Sequence, residues 1–124
     1  MNAKYHIFRV LAAVWMALIF LLSSQPRLPV PMLFNGMDKL AHVLCYGILV
    51  FLLARSLVPP EVTSGKRMLV LTILVTAYGM TDEFHQSLVP GRDASAWDVM
   101  ADGVGGLVVA WTMHWRYRRT VGLS

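Results

Sequence analysis

The residues of this 124-residue chain best able to do chemistry are three short sets of carboxylates, imidazoles and cations. The first is Asp38-Lys39-x-x-His42. The second is Asp82-Glu83-Phe84-His85-Gln86. The third is Pro90-Gly91-Arg92-Asp93-x-Ser95-x-x-Asp98-x-x-x-Asp102. Spacings of three and four put side chains on one helical face, so Asp38 pairs with His42, Asp82 with His85 and Gln86, and Asp98 with Asp102. Glu83 points roughly 100° away from Asp82 on an ideal helix. Such groups can relay protons, ligate a divalent cation or hold a buried cationic side chain. Six of the chain's seven acidic residues lie in or beside these sets.

Local structure accounts for part of the pattern. Asp38 at a helix start can cap backbone N–H groups and face the positive dipole end. Ser95 with Asp98 has the form of a capping box, with Asp in place of the usual Glu. Capping does not explain His42 and Asp102, each about a turn deeper. Asp82 and Glu83 fall at a helix C-terminus, where the dipole disfavours them, and Arg92 is the nearest compensating cation. Arg92 is therefore expected within ion-pair reach of Asp82, Glu83 or Asp98.

The elements that must position these residues are apolar. The chain is 56% hydrophobic and 15% charged, well beyond what a soluble domain of this size needs. Four spans are expected, at about 7–23, 38–57, 68–86 and 95–115, forming one all-α domain over residues 1–124. The expected architecture is a polytopic bundle of four transmembrane helices with an outward-facing polar pocket. Pro26, Pro29 and Pro31 break the first connection, and Pro59-Pro60 stops the second span. Lys4 and Arg9 ahead of Val10 to Leu22 imitate a secretory signal. Ser23-Ser24-Gln25-Pro26 is a poor cleavage site, however, so a retained first span is expected. Ala101 with Gly105, and Gly106 with Ala110, let helix backbones approach closely.

Lys4, Arg9, Arg55, Lys66, Arg67, Arg116, Arg118 and Arg119 fall on one side of these spans; Arg27, Lys39 and Arg92 fall on the other. The eight-to-three split puts both termini in the cytoplasm and the three motifs outside. The formal charge of +4 caps apolar segments and forms no basic stripe interleaved with aromatics, which argues against nucleic-acid binding. Cys45 is the only cysteine, so an intrachain disulfide and a cysteine-rich metal site are excluded.

Gln25-Pro26, Asp38-Lys39-x-x-His42 with Tyr46, Asp82-Glu83-x-His85-Gln86, Pro90-Gly91-Arg92 and Asp98-x-x-x-Asp102-x-x-Gly105 follow in that order across the four spans. In this the chain resembles the VanZ-like family of small bacterial membrane proteins. At the position of Asp102 the family pattern often has Asn. The resemblance implies the bacterial cytoplasmic membrane and a link to tolerance of the glycopeptide teicoplanin, the phenotype of the founding member.

Three uses of the polar set remain open. In the first, the pocket binds an anionic or lipid-linked envelope molecule through Lys39, His42, Asp82, Glu83, Gln86, Arg92, Asp98 and Asp102, with Arg92 gripping phosphate in a bidentate way. In the second, the protein is an intramembrane hydrolase or transferase. Its divalent metal would then come from the set Asp38, His42, Asp82, His85, Asp98 and Asp102, and Glu83, His85 or His42 would carry protons. In the third, the set is an ion-paired clamp that fixes helix register. There is no His-Glu-x-x-His, no nucleophile elbow and no phosphate-cradling glycine loop.

Overall fold

The computed structural model describes residues 3–26, 33–57, 64–120 and 122. Four helices account for nearly all of them, and among the described residues there is no strand: α1 (Ala3–Ser23), α2 (Met37–Ser56), α3 (Ser64–Ser87) and α4 (Ala96–Thr120). Two of these, α1 over Tyr5–Ser23 and α2, are long and apolar enough to cross a membrane, with mean hydropathy of 2.0 and 1.7.

The helices run several residues past the expected spans at the starts of α1 and α3 and at the end of α4. Arg116, Arg118 and Arg119 continue α4 to Thr120, because cations are favoured over the last turn of a helix. At its start α3 already includes Lys66 and Arg67 in its first turns, against the dipole. Arg67 is compensated by donating to the Ala54 carbonyl near the end of α2. Arg27, Pro29, Pro31 and the Pro59-Pro60 stop lie outside the described residues.

The second helix is central. It packs most extensively on α4 and next on α1, while α4 also packs closely on α3. A side chain at Gly105 would run into the Val43 carbonyl of α2, so the α2–α4 approach depends on its missing Cβ. Gly106 packs against Val50 and Val75, and Ala110 is buried nearby. The small-residue face expected on the fourth helix thus makes the tightest contact of the fold. Tyr46, Leu49, Val50, Leu71 and Val75 fill the interior between α2, α3 and α4.

The first helix is fastened by aromatic side chains that donate to carbonyls. Trp15 Nε1 donates to the Cys45 carbonyl at 2.9 Å, and Tyr78 Oη donates to the Met16 carbonyl at 2.8 Å. Large apolar side chains remain exposed on every helix, among them Val10, Val14 and Leu21 on α1, Leu44 and Ile48 on α2, Leu69 and Ile73 on α3, and Val104 and Val108 on α4.

Candidate functional site

The end of the bundle formed by the N-termini of α2 and α4 and the C-termini of α1 and α3 gathers the three sequence motifs. It splits them into two clusters, because Asp82 and Glu83 project to different neighbours from adjacent positions on α3.

One cluster lies between α1 and α3. Ser23 Oγ donates to Asp82 Oδ2 at 2.8 Å, and Gln86 Nε2 donates to the same carboxylate oxygen at 3.2 Å and to Ser23 Oγ at 3.3 Å. Gln86 Oε1 accepts from Arg92 Nη2 at 3.0 Å. The Pro90-Gly91 turn brings Arg92 there: its N–H bonds the Val89 carbonyl at 3.1 Å, and Gly91 takes φ 82°, open to glycine without steric cost. Among the described residues no ion pair joins Arg92 to Asp82, Glu83 or Asp98, contrary to the expectation from sequence. The Gln86 amide stands between, accepting from the guanidinium and donating to the carboxylate, so the coupling runs through a neutral relay.

The other cluster joins α2, α3 and α4. Asp102, fully buried, accepts from His42 Nδ1 at 2.8 Å. Room for its carboxylate comes from Gly79, where a Cβ would collide with Asp102. The orientation of His42 expected from Asp38 is therefore supplied by Asp102. Asp38 instead pairs with Lys39 at 2.7 Å, and the N-cap position belongs to Gly36, which enters the helix with φ 89° and no side-chain cap. Lys39 Nζ also lies 3.3 Å from Asp98 Oδ1, an ion-pair distance without hydrogen-bond geometry.

At the start of α4 the expected capping box is only half formed. Ser95 Oγ accepts from the Trp97 N–H at 3.2 Å, as an N-cap should. The return bond to the Ser95 N–H, expected from Asp98, comes from Glu83 Oε2 of α3 at 2.9 Å. Asp98 is thereby left to face Lys39 and His42. Among the described residues His42, Glu83 and Asp98 offer ligand atoms that all lie within 4.8 Å of one another. That trio differs from the set expected to hold a metal. Glu83 joins it, Asp102 supports it from behind His42, and Asp38, Asp82 and His85 fall outside.

His85 has a different setting. Its ring stacks on Phe20 with centroids 4.3 Å apart, and Nε2 lies 2.9 Å from Ser24 Oγ. Because the Ser24 hydroxyl proton is directed to the Phe20 carbonyl at 2.7 Å, the imidazole donates in this pair. His85 does not line the cavity described next.

That cavity, of about 280 Å³, opens between the two clusters. Ile19, Leu22, Ala41 and Cys45 make an apolar wall; Ser23, Asp38, His42, Tyr46, Asp82, Gln86, Arg92, Asp93 and Asp98 make a polar one. Sequence reasoning missed Ser23, which belongs to no acidic motif, and Gly79, which carries no side chain. A small or hydroxyl residue on an inward face was the only signal for either.

The chain matches the family model described as VanZ/LLP1 over residues 8–117. It belongs to the VanZ-like family. The match runs from the second turn of α1 nearly to the end of α4 and so includes both clusters. No curated protein and no solved structure matches the chain. The family resemblance expected from the motifs is thus established over most of the chain, and each of the five motif segments that carry it contributes at least one residue to the cavity lining.

Proposed function

We propose that this VanZ-like protein is a four-span protein of the bacterial cytoplasmic membrane, with both termini in the cytoplasm, whose outward cavity holds the anionic head of a lipid-linked envelope molecule. The apolar side chains exposed on all four helices suit a lipid surround, and the eight-to-three asymmetry of basic residues supports the orientation. An amphiphile would lay its chain along Ile19 and Leu22 and its head against the polar wall. The volume lies just below the roughly 300 Å³ at which small-ligand sites begin, enough for a head group and too small for a whole lipid.

The observation that carries the reading is the state of Arg92. Asp38 and Asp98 share Lys39, Asp82 accepts from Ser23 and Gln86, and Asp102 accepts from His42. Arg92 lines the cavity with one bond to a neutral amide, no carboxylate partner among the described ion pairs, and its Nε without a partner. A guanidinium so placed is suited to a phosphate or carboxylate, which it can grip with two parallel N–H bonds. Glycopeptide tolerance would follow if the bound molecule carried, or delivered, the part of the envelope that such antibiotics engage.

Native mass spectrometry of the protein released from lipid nanodiscs tests the binding. Wild type should retain a phosphate-bearing amphiphile, Arg92→Ala should lose it, and Arg92→Lys should retain it at least roughly tenfold less well, because lysine lacks the fork. Equal retention by all three proteins would overturn the proposal. In a Cys45→Ala background, an impermeant thiol reagent should label Asn35→Cys and spare Ser64→Cys; the opposite pattern would refute the orientation.

A further inference from the structure

We propose that His42, Glu83 and Asp98 form a site for a single first-row divalent cation, with Asp102 as the residue that positions His42. The site goes beyond head-group binding and stands whether or not an amphiphile enters the cavity.

Geometry provides the first argument. The three ligand atoms come from three different helices, α2, α3 and α4, and lie within 4.8 Å of one another. Donors bound at roughly 2.1 Å to one ion lie at most about 4.2 Å apart, so small side-chain rotations close the set on a cation.

The second argument is how each ligand is held. Glu83 is fixed through Oε2 by the Ser95 N–H, which leaves Oε1 buried and without a hydrogen-bond partner in a residue only 6% exposed. His42 gives Nδ1 to Asp102, so the neutral ring presents its Nε2 lone pair. A carboxylate behind a ligating imidazole fixes the tautomer and raises the basicity of the free nitrogen. Asp102 takes this role from within the bundle, in the space left by Gly79.

Charge is the third. Asp38, Glu83, Asp98 and Asp102 crowd this end of the bundle, and among the described residues Lys39 is the one lysine or arginine within ion-pair distance of any of them. Its hydrogen bond goes to Asp38 and its side chain is 45% exposed, so it can leave Asp98 without losing a partner. One imidazole with two carboxylates is a donor set for Mn²⁺, Fe²⁺ or Zn²⁺ rather than for Ca²⁺, which takes oxygen alone.

The test uses the full chain in detergent, stripped with a chelator and titrated with Mn²⁺ and separately with Zn²⁺. One equivalent of each should bind, and pulsed electron paramagnetic resonance of the Mn²⁺ form should show nitrogen coupling from one imidazole. Glu83→Gln and His42→Ala should abolish saturable binding. Asp102→Asn should weaken it roughly 10- to 100-fold while keeping the same stoichiometry. Arg67→Ala, on α3 beside the opposite end of α2, should bind as wild type does. Absence of saturable binding by wild type, or unchanged binding by both ligand variants, would overturn the site. Should the variants fail to fold, the wild-type spectrum decides: bound Mn²⁺ without nitrogen coupling excludes His42 as a ligand and refutes the site as drawn.

Discussion

The two ends of α2 are both polar, yet they handle polarity in opposite ways. At the C-terminal end, Arg9 Nε donates to the Ser56 carbonyl at 3.3 Å and Arg67 donates to the Ala54 carbonyl. These guanidinium groups take up carbonyls that a helix end leaves without intrahelical donors, and Arg55 lies against the rings of Phe8 and Phe51. Charge at that end serves backbone and packing. At the N-terminal end, Glu83, Asp98 and Asp102 are buried side by side, and each keeps a carboxylate oxygen without a hydrogen-bond partner. Nothing in the backbone of α2 requires them. The contrast separates polar groups that complete the fold from polar groups that the fold must tolerate, and only the second kind asks for a ligand.

Substitutions at the two ends can break or sharpen that contrast. The largest stability loss is expected for Gly79→Ala. Its new methyl group meets the Asp102 carboxylate, so the overpacking should cost about 1 to 3 kcal/mol and move Asp102 away from His42. Thermal unfolding in detergent, together with the Mn²⁺ titration, should show both properties falling; retention of full metal affinity would mean that the position of Asp102 is unimportant.

Arg67→Ala should come next, at about 1 to 2 kcal/mol, because the buried Ala54 carbonyl loses a charged donor. Amphiphile retention should be unchanged, and a loss of binding would show that the two ends are not separable in role. The smallest effect is expected for Asp98→Asn in chelator-treated protein. Removing one of three neighbouring acids relieves repulsion while Lys39 keeps Asp38, so stability should hold or rise by up to about 1 kcal/mol. A drop of several kcal/mol would instead assign Asp98 to an ion-paired clamp and weaken the case for a ligand.

The sequence by itself determined the helical class, the number of helices, the family and the identity of the polar segments. Hydropathy and proline placement act along the chain, where a linear reading sees them directly. Gly105 and Ala110 were legible for the same reason: each lies four residues from another small residue, Ala101 and Gly106 respectively, and such pairs on one face announce close packing whatever the partner. The sequence also showed that His42 and Asp102 lie too deep in their helices for capping.

Only the tertiary structure decided which groups meet. Spacing suggested Asp38 for His42, Asp98 for the Ser95 N–H and a direct acid pair for Arg92; packing assigned these places to Asp102, Glu83 and Gln86. The physical reason is rotation. A carboxylate's neighbours within its own helix follow from the roughly 100° step per residue, but its neighbours across the bundle depend on the rotation and depth of each helix. Those are set by packing contacts such as Gly105 on Val43 and by the space Gly79 leaves for Asp102, interactions between residues far apart in the chain.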